Sequence, residues 1–189
     1  MENPLDLLNF YKTMKPADDA TIRQFMGILP DFLLDDWRNR GFASYLKGLL
    51  MTTNPNDFYD VLEGWVDEPE KCHVVYRTAF GSFLYLKDGT YYNRSVIHNL
   101  ISNFYHDLSV IIEFSLTRKD TQKDSLHNDI YKKALKRLGP PAYDEVYAFV
   151  PVISMGGDYN PDTIQKVKLK EHLAFLEQVK GNDINLSLK

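Results

Sequence analysis

The chain has a single cysteine, Cys72, among 189 residues. One thiol excludes an internal disulfide framework and fits a reducing compartment. No apolar run approaches the roughly 20 residues that a membrane-spanning helix requires. The N-terminal stretch MENPLDLLNFYKTMK has no basic region ahead of its short apolar segment. It therefore does not read as a secretion signal, and the expected location is the cytoplasm. Asn93-Arg94-Ser95 and Asn185-Leu186-Ser187 fit the glycosylation pattern, which carries no meaning without secretion. A glycine-rich phosphate loop is also missing: GGDYNPDT lacks the spacing and the lysine of a P-loop, which leaves Gly156-Gly157 the role of a flexible turn. The sequence holds no serine nucleophile elbow, internal repeat, low-complexity run or long linker.

What is present suits a globular protein. Hydrophobic residues make up 44% and charged residues 25%, and 12 Tyr with 11 Phe supply the bulk for a sizeable core. That is enough for one compact domain or two small ones sharing a core.

The first half reads as short helices. Asp18 suits the N-cap of a helix carrying Ile22, Phe25, Met26 and Leu29, interrupted by Pro30. A second helix through Leu33, Leu34 and Trp37 stops at Gly41. A third is marked by Asn54 as cap, Pro55 at the first position and Asp57 at the positive helix start, with Phe58, Val61, Leu62 and Trp65 as its apolar stripe. Both tryptophans should then pack into the core. His73–Phe80 and Ser82–Lys87 are rich in aromatic and β-branched residues and predict strands. Asp88-Gly89 predicts a tight hairpin, because that dipeptide supplies the positive φ angles of a two-residue turn. Ser102–Phe114 is ambiguous: Phe104, Leu108 and Ile111 have helical spacing, whereas SVIIEF suits a strand, and helix is preferred. Leu126, Ile130, Ala134 and Leu138 line a helix ended by Gly139-Pro140-Pro141. EVYAFVPVISMGG reads as a buried strand running to a turn at Gly156-Gly157. Leu169, Leu173 and Leu176 mark a last helix closing at Gly181. The fold class is α+β: short N-terminal helices, a central antiparallel sheet with its hairpin at Asp88-Gly89, and C-terminal helices packed on a small sheet.

The residues able to carry chemistry read as scaffold. Cys72 and His73 are neighbours, so in a strand their side chains point to opposite faces and cannot form a nucleophile–base pair. Cys72 reads as a buried structural thiol. Arg77 is expected to pair with an acid. His73, His98, His106, His127 and His172 lack the paired spacing of a zinc site. Asp35-Asp36 and Asp67-Glu68-Glu70 are acidic groups on or beside helices, and adjacent carboxylates do not share a helix face, which makes them weak candidates for a general acid/base pair. The basic run Lys132, Lys133, Lys136 and Arg137 lies near a helix C-terminus, where positive charge is favourable, and no stacking aromatics interleave it. The expectation is no catalytic residue, no cofactor and no metal.

Charge is the uneven feature. Met1–Glu70 holds 13 acidic and 6 basic residues, a balance of −7, whereas Lys71–Lys189 holds 13 acidic and 16 basic residues, a balance of +3. Solvated helix faces are one account, and an acidic face that attracts a basic partner is the other. Nucleic-acid binding by the first half is disfavoured by the same count. The candidate partner-binding residues are Asp35, Asp36, Asp57, Asp60, Glu63, Asp67, Glu68 and Glu70. Helical phase would place Asp57, Asp60 and Glu63 off the Phe58–Trp65 stripe.

Several blocks together resemble a known family. Leu29–Trp65 is similar to the N-terminal part of the GAD-like domain family. Tyr76–Leu86 resembles the strand motif that follows there, with Ala79, Phe80 and Gly81. Tyr131–Val179 resembles the small C-terminal domain found with it, through Gly139, Glu145, Tyr147, Phe149, Val150, Pro151, Gly156 and Gly157. The resemblance covers most of the chain and is weakest near residues 95–125. It implies domains at 1–100 and 101–189, with a soft boundary. Proteins with this pairing include immunity proteins against type VI secretion DNase toxins. The resemblance therefore implies a non-enzymatic cytoplasmic immunity protein whose partner is a cognate toxin, a basic nuclease domain, with no direct nucleic-acid or membrane binding. A binding or scaffold protein with a non-toxin partner is the alternative. A small hydrolase with a dispersed site is a third reading, for which no nucleophile, base and orienting group can be named together. The family's name is shared with an insertion domain of tRNA-charging enzymes, an analogy of fold alone.

Overall fold

The computed structural model describes residues 3–103, 105–181 and 184–186. Phe104 and Ser187, which entered the readings above, lie outside them. Ten strands and five α-helices are described: β1 Phe10–Lys15, α1 Asp19–Gln24, α2 Asp31–Arg40, β2 Phe42–Tyr45, β3 Leu50–Thr52, β4 His73–Thr78, β5 Phe83–Lys87, β6 Thr90–Ser95, β7 Leu100–Asn103, α3 Leu108–Ile111, α4 Asn128–Leu138, β8 Glu145–Phe149, β9 Ile164–Lys168, α5 Leu169–Val179 and β10 Ile184–Leu186.

Eight strands form one sheet in the order β1-β2-β3-β4-β5-β6-β7-β10, and β8 pairs with β9 in a small second sheet. Neighbours run antiparallel, except that β10 lies parallel to β7. The Asp88-Gly89 hairpin forms as its sequence predicts: φ is 48° and 75° at the two turn residues, and Lys87 faces Thr90 across the ladder. Asp18 caps α1, its Oδ1 accepting from the Thr21 N–H at 2.8 Å. That helix ends at Gln24, so Ile22, Phe25 and Leu29 are buried while Met26 turns to solvent. Gly41 ends α2 with φ 69°, donating to the Trp37 carbonyl at 2.8 Å. A Cβ there would lie 2.5 Å from the Lys15 carbonyl oxygen of β1.

Other elements depart from their readings. The predicted helix after Asn54 is a single 3-10 turn over Pro55–Asp57 followed by further turns. Ser102 and Asn103 belong to β7, and the helix in that region starts at Leu108 behind its cap Asp107. It widens into a π-helical turn over Ile112–Leu116. β8 stops at Phe149, since Pro151 has no N–H to give a ladder, and Ile153–Met155 forms a 3-10 turn ahead of Gly156. The first half also contributes β1, β2 and β3, which its composition did not announce.

The centre of the large sheet is buried on both faces. Along β5, Leu84 and Leu86 join one apolar cluster with Phe25, Trp37, Phe42, Tyr131 and Tyr147, and Phe83 and Tyr85 join the other with Phe58, Leu62, Trp65, Leu173 and Leu176. The two-residue period of a strand accounts for that division. Each cluster draws residues from both halves of the chain. Ala79-Phe80-Gly81 is the junction: the Tyr147 N–H donates to the Ala79 carbonyl at 2.8 Å, and the Phe80 ring stacks on Phe149 at 5.7 Å.

Candidate partner-binding surface

The eight candidate carboxylates sort by what holds them. On α2, Asp35 faces solvent and pairs with Arg38 at 2.5 Å. Asp36, one residue on and about 100° round the helix, turns inward, and its side chain is 1% exposed. It accepts from the Tyr45 hydroxyl and from Arg40 Nη1 at 3.2 Å. Burial raises its carboxyl above the usual range, against the opposing pull of Tyr45 and Arg40. The expectation of an exposed Asp36 is therefore corrected. This carboxylate ties α2 to β2.

Residues 55–66 place the next three. The Val61 N–H bonds the Phe58 carbonyl and the Trp65 N–H bonds the Leu62 carbonyl, each at 2.9 Å, a three-residue spacing rather than the four of an α-helix. Gly64, at φ 79°, breaks any continuous helix. The apolar stripe survives because each turn drops one anchor into the core: Phe58, Leu62 and Trp65 are all buried. The Trp65 Nε1–H donates to the Leu173 carbonyl at 3.3 Å, and the Arg94 guanidinium lies 4.9 Å from the ring centre. Asp57 is half-buried, accepting from Lys15 Nζ and the Tyr143 hydroxyl at 2.9 Å each. Asp60 is exposed and pairs with Lys170 at 2.6 Å. Glu63 is exposed with no ion pair among the described residues.

These turns and α5 enclose a groove of about 620 Å³, lined by Asp60, Val61, Glu63, Gly64, Trp65, Ala174, Glu177 and Gln178. Glu177 is a third carboxylate that sequence reasoning missed, because a distant helix supplies it. Lys180, which donates to the Gly64 carbonyl and lies 5.0 Å from the Trp65 ring centre, is a basic group close by. Beyond the groove, Asp67, Glu68 and Glu70 are exposed on the loop into β4. Hydrogen bonds from Lys71 and Lys87 hold the Glu68 carboxyl down to about 2.

The residues screened for catalysis are occupied structurally. Cys72 is buried with Sγ 3.5 Å from the Glu68 carbonyl, and burial pushes its thiol up to about 11. His73 shares a hydrogen bond with the Tyr59 hydroxyl at 2.9 Å. Arg77, expected to meet an acid, is wholly buried and donates instead to the carbonyls of Thr78, Ala142 and Tyr143. The rings of His98, His127 and Tyr159 pack together with centres 5.4–5.8 Å apart, His98 stacking on Tyr159 and His127 tilted against both. Among the described residues no three His, Cys, Asp or Glu side chains are grouped to hold a metal ion, and no helix is long and apolar enough to cross a membrane. Lys132, Lys133 and Lys136 are exposed on α4, away from the groove lining.

A model of the GAD-like domain matches residues 2–100, just over half of the chain. The chain belongs to the GAD-like domain family. Residues 113–180 match a second model, that of the C-terminal part of the T6SS immunity protein Tdi1. The fold is similar to the crystal structure of Atu4351 from Agrobacterium tumefaciens, with a TM-score of 0.78 and 17% identity, covering 98% of this chain and 91% of that one. No curated protein matches significantly. In this GAD-like protein the acidic groove is composite: residues 60–65 come from the GAD-like match and residues 174–178 from the Tdi1-like match.

Proposed function

We propose that the protein is a non-enzymatic immunity protein of the type VI secretion system. It binds and neutralises a cognate toxin in the cytoplasm, and the toxin is a basic nuclease domain. The match of residues 113–180 to the Tdi1 C-terminal model carries this reading. The acidic groove supports it physically. A nuclease presents positive charge to the phosphate backbone, and an inhibitor bearing carboxylates around apolar anchors can imitate that backbone and accelerate encounter. Asp60 and Glu63, with Glu177, border the groove; Asp67, Glu68 and Glu70 are exposed on the loop beyond it, Asp35 lies on α2 over the other apolar cluster, and Asp57 borders a separate cleft. The division into an N-terminal unit to about residue 100 and a C-terminal unit beyond it belongs to the same proposal, with the groove drawing on both.

The test is direct inhibition. The toxin-like product of the neighbouring gene, purified, should lose its DNA cleavage at a one-to-one ratio with this protein. A neighbour that is no nuclease, or a nuclease that cleaves unhindered and forms no complex, overturns the reading in favour of a binding protein with another partner.

A further inference from the structure

A second cavity adjoins the acidic groove, the Asp60–Lys170 ion pair lying between them. It is an open cleft of about 410 Å³, between the end of β1, the turns that follow β3, the loop before β8 and the start of α5. Its size suits a small molecule. Arg77 lines it, yet that side chain is fully buried, its three acceptors are backbone carbonyls, and its Nε has no acceptor. No carboxylate among the described residues is within ion-pair distance of it. Burial lowers Arg77 to about 10, so it stays cationic at neutral pH. A buried cation held only by carbonyl dipoles is costly, and an anion nearby offsets that cost.

A second positive feature meets the first. The eleven-residue helix α5 begins in the cleft wall, and its N-cap residue, Lys168, makes no side-chain cap. The Leu169 N–H is taken by the Asp144 carbonyl at 2.9 Å. The N–H groups of Lys170 and Glu171 are among the first-turn donors that a helix itself cannot satisfy, and they sit at the positive end of its dipole. Lys15, Lys168 and Lys170 rim the opening. Their present partners are Asp57, Asp144 and Asp60, at 2.9, 2.6 and 2.6 Å. The Lys168 and Lys170 pairs are exposed and contribute little, so those ammonium groups can turn to a ligand, whereas the Lys15 pair is half-buried. Glu171 is the remaining acidic group in the lining, and Phe58, Leu169 and the Tyr143 ring give the cleft apolar wall.

We infer that this cleft binds a small organic oxyanion: a ring-sized apolar body bearing a carboxylate or phosphate. The charged end lies towards the start of α5, above Arg77, and the body lies against Phe58 and Leu169. The inference is independent of the proposed immunity function.

Titration of isotope-labelled protein with phenyl phosphate, benzoate, inorganic phosphate and phenol, followed by amide chemical shifts, tests it. Phenyl phosphate or benzoate should saturate shifts at Thr53, Phe58, Lys170 and Glu171, and whichever binds tighter identifies the preferred anion. Inorganic phosphate should bind the same place more weakly, and neutral phenol should not saturate. The Lys15→Gln/Lys168→Gln double variant, once its melting temperature shows it folded, should bind at least about tenfold more weakly, a loss of roughly 1.4 kcal/mol. If that variant is unfolded, the parent's shift map and the Lys168→Gln single variant decide. The inference is overturned if no probe saturates by about 10 mM, well into the range of negligible affinity. It is equally overturned if phenol matches the anions, or if the shifts fall on the exposed lysines of α4 instead.

Discussion

Trp37 and Trp65 are both 1% exposed, yet they are held differently. Trp65 donates its indole N–H to Leu173 and carries a cation on its face, whereas the Trp37 Nε1 is buried without an acceptor. Truncation of either to Ala should cost about 3–5 kcal/mol. Trp65→Phe should cost about 1 kcal/mol more than Trp37→Phe, since only the former gives up a hydrogen bond; denaturant midpoints check the order. Burial holds His127 and His172 down to about 4, against 6.5 for an ordinary imidazole. Between those values the unfolded chain binds protons that the folded chain refuses, so stability falls as pH drops from 6.5 towards 4. Asp36, raised by burial, acts in the opposite sense closer to the carboxylate range. A His127→Gln/His172→Gln variant should show a flatter midpoint between pH 7 and 5 than the parent. The burial of both tryptophans was legible from their apolar stripes. That of Asp36 was not: it sits at the flank of the α2 stripe, and the group that covers it, Tyr45, lies on the following strand.

Among elements, the sequence was clearest where a backbone demand falls on one residue. The Asp88-Gly89 turn and the Gly41 helix stop are both in place. Gly89→Ala should cost about 1–2 kcal/mol from its left-handed conformation alone, because open space surrounds it. Gly41→Ala should cost more, since its Cβ would also press on the Lys15 carbonyl of β1. Urea unfolding of the two variants tests this ranking. Short strands were harder to read. β1 is largely exposed, and β9 is mostly exposed polar positions around one buried end at Ile164, so neither carries a strong alternation. The segment after Asn54 misled for a physical reason. Asx caps and i, i+3, i+4 apolar spacing serve a chain of tight turns as well as a helix when the core receives each anchor separately. The acidic residues could be counted in advance, but their grouping could not, because helical phase does not apply there and Glu177 comes from α5.

At the scale of the whole molecule, both apolar clusters cross between the N- and C-terminal parts, so the acidic groove rests on a shared core rather than on a hinge. Structural use of the screened side chains leads to one expectation: the purified protein shows no nuclease, phosphatase or esterase turnover above background, and Cys72→Ala behaves like the parent in those assays. The acidic account makes the sharper demand. Association with a basic toxin should slow as salt rises, since exposed charges are screened beyond about 8 Å at physiological ionic strength. The decisive measurement is that association rate, from low to moderate salt, for the parent, for Asp60→Lys/Glu63→Lys, and for a Lys132→Glu/Lys133→Glu control, each with an unchanged melting temperature. The account predicts that the groove variant associates more slowly, loses most of the salt dependence and fails to protect cells making the toxin, while the control behaves as the parent does. A folded groove variant that binds and protects like the parent, with the α4 variant failing instead, would contradict it.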